Sequence, residues 1–246
     1  MCDQCSQDRF NQMEPSRRSA MLLTVSALSV AFAGRAFAKD TKPPPKPQNV
    51  LSPDAALKRL MDGNARYVDG VSRRHDFKHE REALASGQNP FAAVLSCADS
   101  RIAPEYAFDT GRGDLFVCRV AGNFAGTETI ASMEYAVAVL NTPLILVLGH
   151  DACGAVDATL KALNDNTSPP GHIPALVDAI APAAKVAMQQ GGEVLDKAIR
   201  QNVVDNVAKL KSAAPILDAA VEQGKLKIAG GIYRLTTGTV DLIAQG

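Results

Sequence analysis

Short apolar runs alternate with amphipathic stretches over most of the chain from about residue 50 onward. Three mostly apolar runs predict buried strands at Phe91–Ser96, Leu115–Val120 and Leu144–Leu148. A fourth strand is predicted over Lys225–Leu235. Apolar strands separated by helices are typical of a mainly parallel sheet covered on both faces. The pattern therefore predicts an α/β fold.

Apolar residues at helical spacing predict the helices that cover this sheet. The first helix has Ser52 as its cap and an apolar stripe from Ala56 to Met61. It is expected to end near Gly63. Further helices are predicted over Asp76–Ser86, over Glu128–Leu140 with Thr127 as cap, from about Cys153, and over Ile173–Gln189, Val194–Lys211 and Ala214–Gln223.

The N-terminal segment follows a different pattern. Arg17-Arg18 precedes an apolar run from Ala20 to Ala33, and Ala36-Phe37-Ala38 offers a cleavage site. This order is typical of an export signal, and the adjacent arginines indicate the twin-arginine route. An alternative cleavage site is Ala31-Phe32-Ala33. The run of about 14 apolar residues is shorter than the roughly 20 that span a bilayer.

We therefore expect three regions: an export signal at 1–38, a Pro-rich linker at 39–50 and one folded domain at 51–246. The mature protein would be periplasmic and would not associate stably with the membrane. If the signal is not used, the protein would be cytoplasmic.

Composition narrows the function classes. Lys plus Arg and Asp plus Glu both number 26, so no net field favours nucleic acid or an anionic membrane. The five cysteines are too scattered for a disulfide framework, which favours metal or thiol chemistry. Cys2 and Cys5 fall in the predicted signal, and Cys118 is expected to be a core residue. His75 and His79 are expected to lie on a solvated helix face.

Two short segments carry the candidate chemistry. Cys97 directly follows one predicted strand, while His150 and Cys153 follow another. In α/β sheets, ligands bind at the carboxyl ends of strands. Zinc prefers thiolate and imidazole ligands, and its catalytic sites keep a fourth position open. Cys97, His150 and Cys153 are therefore predicted to form a catalytic-type zinc site.

The motif C-x-D-x-R followed by H-x-x-C-G resembles the signature of β-class carbonic anhydrases, and the likeness extends over most of residues 52–246. Other residues that match the family pattern are Pro104, Arg119, Gly122, Asn123, Tyr233 and Thr237-Gly238.

The resemblance implies reversible hydration of CO2 to bicarbonate by zinc-bound hydroxide. Cys97, His150 and Cys153 would hold Zn²⁺, Asp99 would accept the proton of the hydroxide, and Arg101 would keep Asp99 ionised. The family also has a closed state, in which this carboxylate–arginine contact breaks and the aspartate occupies the open zinc position.

The resemblance further implies a substrate pocket and a partner subunit. Gln88, Phe116 and Tyr135 match pocket residues of the family. That pocket lies at a dimer interface in the family, where the N-terminal helix forms an arm that embraces the neighbour. The resemblance therefore implies that the first helix of this chain is an N-terminal helical arm. A homodimer or a higher even oligomer is therefore expected.

Other functions stay open at this point. The same constellation occurs in enzymes that hydrolyse carbonyl sulfide or carbon disulfide. A non-catalytic zinc-binding module is a second alternative, although zinc binding alone would not require Asp99 and Arg101. A thiol oxidoreductase is less favoured, because residues 51–246 contain no C-x-x-C.

Overall fold

A five-stranded sheet forms the centre of the computed structural model, which describes residues 50–244. In chain order the strands are β1 (Ala92–Ser96), β2 (Leu115–Arg119), β3 (Leu144–His150), β4 (Lys227–Tyr233) and β5 (Val240–Ala244). Their order across the sheet is β2-β1-β3-β4-β5, and only β5 runs antiparallel to its neighbour. The α/β prediction with a mainly parallel sheet is confirmed. The predicted export signal and nearly all of the linker lie outside the described residues.

Helices cover both faces of the sheet. They are α1 (Pro53–Val68), α2 (Phe77–Leu84), α3 (Pro104–Ala107), α4 (Thr127–Ala138), α5 (Gly154–Asn164), α6 (Pro174–Gln190), α7 (Val194–Lys211) and α8 (Leu217–Glu222). Alternate strand residues point to opposite faces and build two apolar clusters. One cluster involves α1 and α3, and the other involves α4 to α8. No helix among the described residues is both long enough and apolar enough to cross a membrane.

Helix α7 packs directly against the backbone of the sheet. A Cβ atom added to Gly149 on β3 would lie 2.6 Å from Val203 Cγ2. A Cβ atom added to Gly230 on β4 would lie 2.7 Å from Val203 Cγ1. The two glycines therefore set how closely α7 approaches β3 and β4, since any side chain would push the helix away.

The prediction that the first helix ends near Gly63 is wrong. Helix α1 continues to Val68, and the Cβ that Gly63 lacks would lie 1.9 Å from Phe108 O. This glycine allows close helix packing rather than ending the helix. The next residue, Asn64, is buried and donates to Ala107 O and Gly238 O.

Other predicted boundaries shift by a few residues. Gly126, rather than Thr127, is the N-cap of α4, and no side chain caps that helix end. Strand β4 and helix α8 are shorter than predicted, while α3 and β5 were not predicted at all. Cys118 packs against the core as expected, and it is half-buried because β2 is an edge strand.

Candidate active site

Three metal-ligating side chains converge where β1 and β3 end. Ser96 ends β1 and is in register with Leu148, so Cys97 emerges beside the last residues of β3. His150 is the final residue of β3, and Cys153 is the N-cap of α5. The Sγ atoms of the two cysteines and a ring nitrogen of His150 all lie within 4.8 Å of one another, and all three residues are buried. The structure therefore brings together the three residues that the sequence predicted as ligands.

The orientation of His150 favours metal binding. Its Nδ1 lies 2.8 Å from the carbonyl oxygen of Asp151, and a carbonyl only accepts, so Nδ1 carries the hydrogen. Nε2 therefore presents a lone pair. This atom is buried without a hydrogen-bond partner in the described part of the chain. An unpaired buried nitrogen that faces two sulfur atoms fits a zinc ligand.

The two cysteines are electrostatically coupled. A hydrogen bond from the Cys153 thiol lowers the pKa of Cys97 to about 4. The same hydrogen bond, together with burial, raises the pKa of Cys153. The backbone N–H of Gly122 also donates to Cys97 Sγ, over 3.3 Å. Because metal ligation requires both thiolates, binding a cation here releases a proton from the pair.

Asp99 and Arg101 form a close ion pair beside these ligands. Asp99 Oδ1 accepts from Arg101 Nε at 2.9 Å, and Oδ2 accepts from Nη2 at 2.7 Å. These hydrogen bonds hold the pKa of Asp99 well below its usual range. Asp99 Oδ2 also lies 3.9 Å from His150 Nε2. An ionised carboxylate therefore faces Nε2 of His150, with its contact to Arg101 intact.

Arg119 holds the segment that connects Cys97 to α3. Its Nε donates to Cys97 O at 2.9 Å. Its Nη2 donates to Asp99 O at 2.7 Å and to Ile102 O at 2.9 Å. The sequence indicated only that Arg119 matches the family pattern. Its contacts now show a structural role, because one side chain satisfies three backbone carbonyls of this segment.

The predicted pocket residues lie on three different segments: Gln88 precedes β1, Phe116 is on β2 and Tyr135 is on α4. Phe116 and Tyr135 contact each other, with ring centroids 6.2 Å apart. Phe116 is in register with Ala93, so it lies back along β1 from Cys97 by roughly 13 Å at the usual rise per residue. Gln88 is exposed in the segment between α2 and β1. Their assignment to a substrate pocket stays a prediction.

The histidine pair predicted on a solvated face lies near α2 and apart from the cluster. His79 Nδ1 contacts Asp76 Oδ2 at 2.5 Å, and both side chains are exposed. His75 precedes the helix and contacts Glu80.

Sequence reasoning missed two residues that support the site, Asn202 and Asn206. They are four positions apart on the buried face of α7 and bind the loop that contacts Cys97. The signal that could have revealed them is the presence of these polar residues within the apolar stripe of a predicted helix.

Comparisons with known proteins give one consistent result. The family profile described as carbonic anhydrase matches residues 92–240. Carbonic anhydrase 2 of Mycobacterium tuberculosis is 42% identical over 188 residues, which cover 76% of this chain and 91% of that protein. The carbonic anhydrase of Mycolicibacterium smegmatis is 41% identical over 192 residues, covering 78% and 93%.

A solved structure is similar as well. The Coccomyxa β-carbonic anhydrase in complex with acetazolamide superposes with a TM-score of 0.59 at 27% identity. The alignment covers 76% of this chain and 86% of that one.

Proposed function

The chain belongs to the carbonic anhydrase family, in its β class, and from this premise we propose that it hydrates CO2 reversibly with Zn²⁺ held by Cys97, His150 and Cys153. The observation that carries the zinc assignment is the buried, unpartnered Nε2 of His150, which faces two cysteine sulfurs and the ionised Asp99.

Zinc bound at these ligands would act as a Lewis acid that lowers the pKa of water toward ~7 and so generates hydroxide. The protein contributes a ligand set with two negative charges, which neutralises the dication. A neutralised metal acidifies water less. Groups that withdraw charge from the thiolates, or that orient the hydroxide, therefore contribute more to the formation of the nucleophile at this site.

Asp99 would orient the nucleophile. Its Oδ2 lies 3.9 Å from His150 Nε2, and an ionised carboxylate only accepts hydrogen bonds. Asp99 can therefore accept a hydrogen bond from the attacking hydroxide and turn the oxygen lone pair toward the carbon of CO2. Arg101 keeps the carboxylate ionised, so Asp99 is an acceptor and not an acid near neutral pH.

We also propose that two copies of the chain complete each pocket. The support is that β2 is an edge strand whose residues Leu115 to Cys118 are only half-buried. The neighbouring α4 region carries exposed Tyr135 and Val139. A partner on this edge would bring its own pocket residues, Gln88, Phe116 and Tyr135, close to the zinc ligands.

Zinc content and stopped-flow CO2 hydration test the proposal. We expect one zinc per chain and rapid hydration in the wild type. Cys97→Ser should lose zinc and activity together. Asp99→Asn should keep zinc but lose about a hundredfold in kcat/KM, because the amide is neutral and replaces one accepting carboxylate oxygen with a donating NH2 group.

Cys118→Ser is the matched control, because this half-buried cysteine lies on β2 outside the cluster. It should retain zinc, which separates the loss of a ligand from the loss of any thiol. Wild-type protein without zinc, or zinc-loaded protein that does not hydrate CO2, would refute the proposal. Turnover of carbonyl sulfide or carbon disulfide in preference to CO2 would favour the alternative hydrolase.

A further inference from the structure

A loop between β2 and α4 contacts one of the metal ligands. Gly122 in this loop donates its N–H to Cys97 Sγ at 3.3 Å. Gly122 has a φ of +84°, and an added Cβ would lie 2.4 Å from Ile180 Cδ1. Glycine is therefore the residue that permits both the backbone conformation and the close approach.

Two buried asparagines of α7 hold this loop. Asn202 Nδ2 donates to Gly122 O at 2.8 Å, and Asn206 Oδ1 accepts from Ala125 N at 2.7 Å. The amides also contact each other, since Asn206 Nδ2 lies 3.1 Å from Asn202 Oδ1. Both residues are at most 6% exposed. Buried amides are costly unless they are paired, so this network fixes the loop in one position.

The helix that carries these amides is itself fixed. Gly149 and Gly230 allow Val203 to touch the backbone of β3 and β4, as described above. Asn202 is adjacent to Val203 in the chain. A continuous series of contacts therefore runs from the sheet through α7 and Asn202 to Gly122, and from Gly122 to the sulfur of Cys97.

We propose that Asn202 is a positioning residue for the metal centre. By holding Gly122 in place, it maintains the N–H···S hydrogen bond and limits the negative charge that Cys97 donates to a bound metal ion. This inference rests on the proposed zinc site and adds a residue that acts through Gly122, without contact to metal or substrate.

The physical reason is that a hydrogen bond to a thiolate stabilises its sulfur lone pairs. Without it, the sulfur would donate more charge, and the metal would acidify water less. Outer-shell partners of metal ligands are typically worth about 10–100-fold in affinity or activity.

Cobalt substitution tests the role, because Co²⁺–thiolate sites show a sulfur-to-metal charge-transfer band. In Asn202→Leu, which removes the donor at nearly constant volume, we expect this band to move to lower energy. The midpoint of the pH–rate profile of the zinc enzyme should move to higher pH, and CO2 hydration at pH 7 should fall roughly tenfold.

Asn64→Leu is the matched control. Asn64 is also a buried helical asparagine that bonds to backbone carbonyls, but it lies on the opposite face of the sheet. This variant should lose stability and leave the cobalt band in place. If Asn202→Leu does not fold, Asn202→Ala serves instead, and a smaller shift in the same direction is expected, because water can enter the space.

Three outcomes are distinguishable. A shifted band with the Asn64→Leu band unmoved supports the role of Asn202. An unmoved band in a folded Asn202 variant overturns it, even if stability falls. A wild type that binds neither cobalt nor zinc refutes the proposed function itself.

Discussion

At the scale of single residues, Arg101 connects the two segments that carry the proposed zinc ligands. It makes two hydrogen bonds to Asp99, and its Nη2 also lies 3.4 Å from Ala152 O, between His150 and Cys153. Ala152 has a φ of 50°, an uncommon conformation for a residue with a Cβ. The planar guanidinium therefore contacts both segments at once. The compact ammonium group of a lysine could not make the same set of hydrogen bonds.

Arg101→Lys should separate geometry from charge. Lysine keeps the positive charge but cannot make the bidentate contact, so the position of Asp99 becomes less defined. We expect unchanged zinc content and a loss of about tenfold or more in kcat/KM, measured by stopped flow with metal analysis. Arg112→Lys, at an exposed position in the loop before β2, is the control and should behave as wild type. Equal rates in Arg101→Lys and wild type would contradict the expectation.

Residues close together in the sequence were predictable at this site, and distant ones were not. Cys97, Asp99 and Arg101 belong to one motif, and His150 and Cys153 to another. The contact of Asn202 with Gly122 joins residues 80 positions apart. It depends on how α7 docks on the sheet, and a single sequence does not give that arrangement.

At the scale of elements, Asp109 fastens α1 to the segment that follows it. Its carboxylate accepts from Arg66 Nε at 2.6 Å and from Arg73 N at 2.9 Å. Burial of Asp109 opposes its ionisation, but these hydrogen bonds outweigh that effect and lower the pKa of the carboxyl. Its φ of 43° also suits asparagine, which tolerates the left-handed region.

Asp109→Asn should therefore destabilise the fold in a pH-dependent way. The carboxylate stabilises fully above its unfolded pKa of ~3.9, and this contribution is lost as pH falls through the lower folded pKa. We expect the variant to be about 1–3 kcal/mol less stable at pH 7. The gap should narrow below about pH 4.

Urea unfolding at several pH values measures this gap. Asp62→Asn is the control, because Asp62 forms an exposed pair with Lys58 and should contribute little. A gap that does not change with pH would contradict the linkage.

Gly149→Ala tests the close packing of α7 on β3. The added methyl would lie 2.6 Å from Val203 Cγ2, so the helix must shift. We expect this shift to lower the free energy of unfolding by about 1–3 kcal/mol. Adding Val203→Ala should recover part of the loss, as measured by thermal or urea unfolding. Gly154→Ala is the control, since its Cβ would have no neighbour within 4 Å. A neutral Gly149→Ala variant would show that α7 is not held as described.

Long strands and helices were predictable from periodicity, whereas short or packing-dependent elements were not. Helix α3 has four residues, which is too short for a helical period to appear. Strand β5 exists through its antiparallel pairing with β4. Glycine is common at helix ends, which is why Gly63 was predicted to end the first helix. The backbone of Phe108 packs against it, so this glycine allows close packing instead. In each case tertiary contacts decide the local structure.

At the scale of the whole molecule, the apolar edge formed by β2 and the α4 region should form the proposed dimer interface. Val139 is 56% exposed on this edge. Val139→Glu would bury a charge in the interface, and we expect it to weaken dimerisation at least tenfold in analytical ultracentrifugation. Val186→Glu, at a 39% exposed site on α6, is the matched control. An undisturbed dimer in Val139→Glu would place the interface elsewhere.

The predicted export signal has its own test. We propose that Arg17-Arg18 directs the protein to the twin-arginine route and that the signal is then removed. Replacing both arginines by lysine should keep the protein in the cytoplasm, as judged by cell fractionation and N-terminal mass spectrometry. The same change at Arg73-Arg74, within the folded domain, should leave export unaffected. Export of the Arg17-Arg18 variant would exclude this route.

Because its ligands are far apart along the chain, a bound metal would also affect the stability of the fold. Cys97 and Cys153 enclose α3, β2, α4 and β3 between them. A bound ion would close this long loop much as a disulfide does. While it stays bound, it would limit the conformational freedom of the unfolded chain, which corresponds to on the order of 4 kcal/mol of stability. The proposed zinc site would then also act as a reversible cross-link. Zinc starvation would therefore destabilise the fold as well as abolish the reaction.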